Sequence, residues 1–301
     1  MTEPLLAVED CMKTWIEELG DDDITTLFRA LPKGKRLRAK LVLKIAGNTQ
    51  EAIKLAAIIE LIHAASLLHD DVIDEAMTRR GVNSVNATDG SKVAVMMGDI
   101  LYSKAYTQLV SYDVRISEAV AKAVTVLSIG EYVDVKMGES FNANEDAYLD
   151  MIYKKTASLI EATAYCAAIL SGKDEKSYQL YGKNLGLSFQ IIDDILDIVS
   201  DEKTLGKPAL NDYKEGKTTL PYMYLHQMLD ADAKQRLSNA HAKTLDAEDA
   251  AWIKEQMKEF KSVERSYSLA QELSNEAIAA VEPHNEVELV GIIQEMMGRK
   301  F

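Results

Sequence analysis

Cysteine is scarce: Cys11 and Cys166 are the only two in 301 residues. One such pair gives neither a disulfide framework nor a metal-ligand spacing, which fits a reduced, cytoplasmic protein. Proline is nearly as scarce, and each of Pro4, Pro32, Pro208, Pro221 and Pro283 falls near an expected element boundary. Basic residues are outnumbered, 34 Lys and Arg against 48 Asp and Glu, for a net charge of −14. That excludes the basic stripe of a nucleic-acid binder and a broadly basic membrane-docking surface. No apolar run is expected to reach the length of a membrane span, no signal peptide is expected, and no alternating strand run stands out.

What is abundant is apolar and helical. Hydrophobic residues make up 47% of the chain, in long Ala-, Leu-, Ile-, Lys- and Glu-rich segments with apolar side chains at i, i+3 and i+4. The expected fold is all-α: one domain over 1–301, an orthogonal or antiparallel bundle of ten or more helices around a central cavity. Helices are expected over 4–19, from Gly34 to Gly47, 49–75, 91–110, 113–136, 146–171 and 174–199. Four or so more, without assigned chemistry, come after Tyr222. Asp21–Asp23 read as the cap and first turn of a short helix.

The organising stretch is ELIHAASLLHDDVIDEAMTRRG, from Glu60 to Gly81. Asp70 and Asp74 stack on one helical face, and Asp71 lies about 60° from Asp74. Carboxylates crowded this closely repel unless a cation neutralises them, and oxygen ligands suit Mg²⁺. A solvated acidic helix end is the plain alternative. It loses ground because LSFQIIDDILDIVSD repeats the spacing in Asp193, Asp194 and Asp197. Facing each other across a cavity, two such triplets would cage several metal ions, and a polyanionic substrate would complete the coordination.

The few clustered cations stand out against the acidic background. Lys35 and Arg38, three apart, are expected to share a face where a helix begins, a position unfavourable to cations unless an anion sits there. The alternative is a basic solvated loop. His63 lies two helical turns before Asp70 on the same face, open to a diphosphate contact or to an ordinary core role. His69 reads as structural. Arg79 and Arg80 point to different sides, so their guanidinium forks could serve two diphosphates.

Six segments, in order, carry a family resemblance: GKRLR at 34–38, HDDVID at 69–74, RRG at 79–81, KT at 155–156, FQIIDDILD at 189–197 and GKTTLP at 216–221. The chain resembles the trans-isoprenyl diphosphate synthases. The resemblance implies that Lys35, Arg38, His63 and Arg80 bind isopentenyl diphosphate. It implies that Arg79, Lys155, Thr156, Gln190, Lys207 and Lys217 serve the allylic diphosphate, with Lys155, Thr156 and Gln190 closest to the chemistry. Magnesium on the six aspartates would promote ionisation of the allylic diphosphate, the isopentenyl double bond would attack, and the released diphosphate could take the proton. The family commonly has a second glycine where this chain has Leu210 or Asn211, which leaves that loop's shape open. Arg299 and Lys300 either reach a diphosphate or fray.

Product length is read beside the central helix. Ala65 and Ser66 precede Asp70 by five and four residues, with Ile62 a turn deeper. In the family bulky aromatics there stop growth early, so small residues imply a long, octaprenyl-like product for quinone side chains. That product would partition to the membrane. A deeper residue such as Met96 could restore a floor. The alternatives are a farnesyl or geranylgeranyl diphosphate synthase, a terpene cyclase, or a non-catalytic subunit of a heteromeric synthase. A homodimer is implied by resemblance.

Overall fold

The computed structural model describes residues 2–199 and 210–298. Lys207, Arg299 and Lys300 lie outside the described residues. Among the described residues the fold is all-α apart from one two-residue hairpin. Internal contacts group the chain into two compact units, Met1–Val124 with Ala162–Gln179, and Thr125–Glu161 with Leu180–Phe301.

The first unit is built on α4 (Gln50–Ile73), packed against α1 (Glu3–Glu17), α3 (Leu37–Ala46) and α6 (Ser91–Leu109). Helix α2 (Asp22–Ala30) is capped by Asp21, whose carboxylate accepts from the Asp23 and Ile24 amides, as its acidic run predicts. Thr49 caps α4 by accepting from the Ala52 amide. Helix α4 is apolar all round because neighbours cover it on several sides: Leu55, Ile58, Ile59, Leu61 and Ile62 have no exposed surface. Each such side chain contributes roughly 1.5–3 kcal/mol of burial free energy. Here one expectation is corrected, since α4 is long and apolar enough by composition to cross a membrane. Most of it is buried within the protein, the character of a core helix.

The end of α4 sets the course of the next segment. Glu75 takes a left-handed conformation (φ 51°). Its amide donates to the Val72 carbonyl at 3.4 Å, and the Ala76 amide donates to the Asp71 carbonyl at 2.8 Å. This Schellman-type closure stops the helix at the acidic triplet. A hairpin of β1 (Thr78–Arg79) and β2 (Val82–Asn83) comes next, its two-residue turn placing Arg80 (φ 53°) and Gly81 (φ 78°) in the left-handed region. Helix α5 (Val85–Thr88) leads into α6.

Helix α7 (Val114–Met137) runs from the first unit's residues into the second's, and α8 (Glu145–Ile152) comes after it. The segment expected as one helix over 146–171 is interrupted: a π-turn, Tyr153–Ala157, separates α8 from α9 (Ser158–Ser171). Helix α10 (Glu175–Val199) carries the second acidic triplet, and α11 (Asn211–Lys214) is a single turn. The C-terminal part is α12 (Leu220–Met228), α13 (Ala231–Ala240), α14 (Ala247–Glu259), α15 (Ser262–Val281), a 3₁₀ turn and α16 (Val287–Met297). Tyr148, Ile191, Ile192 and Ile195 pack with Leu220, Met223 and Ala270 in one core cluster of this unit, and Tyr213, Tyr222 and Leu225 anchor another.

Candidate active site

In the first unit the Asp70–Asp74 triplet sits on the last turn of α4, with Asp71 buried and Asp74 as C-cap. Arg79 reaches back along the hairpin and donates from Nε to Asp71 Oδ1 at 2.7 Å. Burial pushes the Asp71 carboxyl up, the Arg79 guanidinium opposes it, and Asp74 adds to the rise. The pairing brings Arg79 to the first triplet.

A basic group gathers beside it. The Arg38 Nε is buried and has no hydrogen-bond partner. Burial pushes the Arg38 guanidinium down to about 10; Glu60 opposes the shift, Arg80 reinforces it, and Asp70 opposes it. Arg80 donates from Nη1 to the Pro32 carbonyl at 3.2 Å, and its guanidinium lies so close to Gly34 that an added Cβ would come within 2.5 Å of Nη1. Burial, followed by the charges of Arg38, Arg80, Arg79 and Arg36, holds His63 well below the ordinary imidazole range. His63 is therefore a neutral hydrogen-bonding group. Arginines packed together around a buried, partnerless Nε repel one another, an arrangement that a bound polyanion would relieve.

The sequence misplaced one member of this group and missed others. Lys35 precedes α3, which begins at Leu37, and Arg36 between them is left-handed (φ 52°). Lys35 and Arg38 thus share no helical face, and Lys35 is exposed on the approach to the helix. Arg36 pairs with Glu9 and, from Nη1, with Glu60 at 3.1 Å. Glu60 also accepts from the Ala39 amide at 2.9 Å, capping α3 from α4. A lone glutamate inside the apolar run of α4 was the available signal.

Ile62, Ala65 and Ser66 are all buried on α4, and the Ser66 hydroxyl donates to the His63 carbonyl at 2.9 Å. Met96 needs correction: it is 56% exposed, and its neighbour Met97 is the buried methionine of α6. His69, read from the sequence as structural, packs toward α6. Its Nε2 lies 3.1 Å from the Val95 carbonyl oxygen and its ring sits against Gly98.

In the second unit the π-turn carries Lys155 and Thr156. Such one-residue insertions into a helix recur at functional sites. The Thr156 hydroxyl donates to Gln190 Oε1 at 2.7 Å, and Gln190 Nε2 donates to Asp194 Oδ1 at 2.8 Å. This relay fixes the amide with its oxygen toward Thr156. Tyr148, which the sequence did not single out, donates to Asp194 Oδ2 at 2.5 Å. Burial, then the Asp194 charge, push the Tyr148 hydroxyl well above its ordinary range and keep it a donor. Lys155 Nζ lies 2.9 Å from Glu131 Oε2 and 2.6 Å from Asp134 Oδ2. Lys217 lies 3.0 Å from Glu215.

The second triplet divides by burial: Asp193 is exposed, Asp194 and Asp197 are buried. Burial drives the Asp194 carboxyl well above the carboxylate range and Asp212 adds to it; hydrogen bonds from Tyr148 and Gln190 oppose, and Asp193 raises it further. Asp197 Oδ2 accepts from the Asp212 amide at 3.0 Å. A divalent cation would relieve this crowding, and an all-oxygen donor set suits magnesium. Among the described residues no three Asp, Glu, His or Cys side chains converge into a self-sufficient metal site.

The polyprenyl synthetase family model matches residues 24–259. Octaprenyl diphosphate synthase of Escherichia coli is 36% identical over 257 residues, covering 83% of this chain and 80% of that protein. A short chain isoprenyl diphosphate synthase of Methanothermobacter thermautotrophicus is 37% identical over 238 residues, 73% of each chain. The crystal structure of octaprenyl pyrophosphate synthase from Helicobacter pylori superposes with a TM-score of 0.95 at 40% identity, covering 99% of this chain and 100% of that one.

Proposed function

The chain belongs to the polyprenyl synthetase family and is a trans-prenyltransferase, and on that premise we propose how its residues divide the reaction. Isopentenyl diphosphate is assigned to Lys35, Arg38, neutral His63 and Arg80. The allylic diphosphate is assigned to Arg79, Lys155, Thr156, Gln190 and Lys217, with Lys207 named from sequence alone. Asp70, Asp71, Asp74, Asp193, Asp194 and Asp197 are assigned magnesium. When bound, magnesium neutralises the charge that develops on the departing diphosphate.

The observation that carries this reading is Arg38: a guanidinium whose buried Nε has no partner, beside His63 and Arg80. A terpene cyclase has no second diphosphate to place there. Lys155 contributes positive charge toward the departing diphosphate. The Thr156 and Gln190 oxygens, held in the relay, face the allylic cation as dipoles. The released diphosphate takes the proton, so no protein base is needed. Purified protein given farnesyl diphosphate alone is expected to make no hydrocarbon. Adding isopentenyl diphosphate is expected to start elongation, which would also exclude a non-catalytic subunit.

The product is proposed to be long and octaprenyl-like, because Ala65 and Ser66 put little bulk on the buried face of α4 before Asp70. Ala65→Phe is expected to shorten the main product by several isoprene units while turnover stays within about tenfold. Chromatography of the products checks this; unchanged length would remove Ala65 from the wall along which the chain grows. A shorter product in the wild-type protein would instead favour the short-chain reading, which the Methanothermobacter relative supports. The protein is further proposed to be cytoplasmic and a homodimer, the dimer supported by exposed Ile129, Tyr132 and Val135 on α7. Light scattering at micromolar concentration tests the dimer.

A further inference from the structure

Glu131 and Asp134 belong to none of the groups assigned so far, yet both are buried and both engage one cation. Glu131 is 6% exposed and Asp134 8%. They sit three residues apart on α7, on one helical face. Lys155 Nζ meets Glu131 Oε2 at 2.9 Å and Asp134 Oδ2 at 2.6 Å. Two carboxylates against one ammonium are more than neutralisation requires, and Glu131 Oε1 is buried without a hydrogen-bond partner. A purely structural ion pair would be satisfied by one acid.

The backbone makes this approach possible. Gly130, next to Glu131, touches the π-turn so closely that a Cβ there would lie 2.3 Å from the Lys155 amide nitrogen. Gly186 in turn meets Ala157, whose Cα would be 2.5 Å from an added Cβ. The π-turn thus makes two close glycine contacts, and of its two lysines Lys154 pairs with Asp150 while the Glu131–Asp134 pair grips Lys155.

We infer that Glu131 and Asp134 are positioning residues: they fix the Lys155 ammonium where it meets the allylic diphosphate and act on the reaction only through it. The inference rests on the reading that Lys155 binds that diphosphate. A lysine stem has four rotatable bonds, so an untethered ammonium samples many positions. Two carboxylates at fixed register select one of them, so the ammonium is already placed when charge develops on the leaving group.

The test is a cycle of variants in the full-length protein, with folding checked by circular dichroism and thermal melting. Glu131→Gln and Asp134→Asn are each expected to lower kcat/KM for farnesyl diphosphate about 10- to 100-fold. KM for isopentenyl diphosphate should stay within twofold. Asp134→Glu, which keeps the charge, should recover part of the loss. In a Lys155→Gln background the two acid substitutions should have no further effect, because their route of action is gone. Losses that persist undiminished in that background, or an equal rise in KM for both substrates, would overturn the inference. If Lys155→Gln itself leaves the farnesyl diphosphate kinetics unchanged, the assignment of Lys155 fails, and the positioning role falls with it. Should Lys155→Gln not fold, the Lys155→Gln, Glu131→Gln pair, neutral at both positions, serves as the background.

Discussion

Asp193→Ala is expected to lower turnover at least about 10³-fold without unfolding the protein, and Asp70→Ala to do the same. The size comes from the work the carboxylates are asked to do. Ionising an allylic diphosphate places growing negative charge on the leaving group, and the electrostatic help a bound cation gives is several kcal/mol. Each 1.36 kcal/mol is tenfold in rate, so about 4 kcal/mol lost at the transition state is about 10³-fold. The stability side is as important to the choice of residue. Asp193 is exposed, so truncating it should alter stability by no more than about 0.5 kcal/mol. Asp194 would be a poorer probe: it accepts from both Tyr148 and Gln190, and removing it leaves a buried hydroxyl without its acceptor, at about 1–3 kcal/mol, and a half-buried amide as well. The experiment is steady-state elongation at saturating magnesium with thermal melts in parallel. A loss under tenfold in Asp193→Ala with the melt unchanged would remove the second triplet from the reaction.

What the sequence made legible was whatever obeys a period or a cap. The central helix over 49–75 is found as Gln50–Ile73 with Thr49 as cap, and Asp21 caps α2, because hydrophobic periodicity and side-chain capping are local. The two aspartate triplets were visible because identical spacing on two apolar helices is improbable by composition alone. The π-turn at Tyr153–Ala157 was not, since one inserted residue leaves no periodic trace in an Ala- and Ile-rich segment. Nor was the hairpin at Thr78–Asn83, where each strand is two residues long. Lys35 was put on a helix face by a spacing rule that fails when Arg36 turns left-handed. The glycine that the family commonly has near 210 is met here by Leu210 itself, buried and left-handed at φ 62°. A leucine there costs roughly 1–2 kcal/mol of backbone strain, which its burial in the core offsets. Arg36, Tyr148, Glu131 and Asp134 escaped notice for one reason: each is defined by a partner distant in sequence, and no local pattern announces the pairing, whereas Glu60 was marked only by being a glutamate inside the apolar run of α4.

Gly130→Ala is the smallest substitution with a large expected consequence. In a solvent-facing helix the change would be favourable by roughly 0.5–1 kcal/mol, because alanine has the better helix propensity. At Gly130 the added Cβ would stand 2.3 Å from the Lys155 nitrogen, 2.6 Å from the Lys154 carbonyl carbon and 2.7 Å from the Lys155 Cα. All three are backbone atoms, so no rotamer change relieves the clash. Helix α7 and the π-turn must separate by roughly 1 Å to restore ordinary contact, at a cost of about 1–3 kcal/mol. That separation draws Glu131 and Asp134 away from Lys155 and shifts Thr156 against Gln190. A displacement of this size near the reacting centre can cost about 10²-fold in rate. The expected result is a kcat at least about 100-fold lower, a melting temperature lower by several degrees, and isopentenyl diphosphate KM unchanged. Gly291→Ala is the control, since nothing lies within 4 Å of a Cβ at that position on α16. It should keep full activity and melt no lower than the parent. If Gly130→Ala were as active as Gly291→Ala, the π-turn would tolerate movement, and the close seating of Lys154 and Lys155 against α7 would have no part in the chemistry.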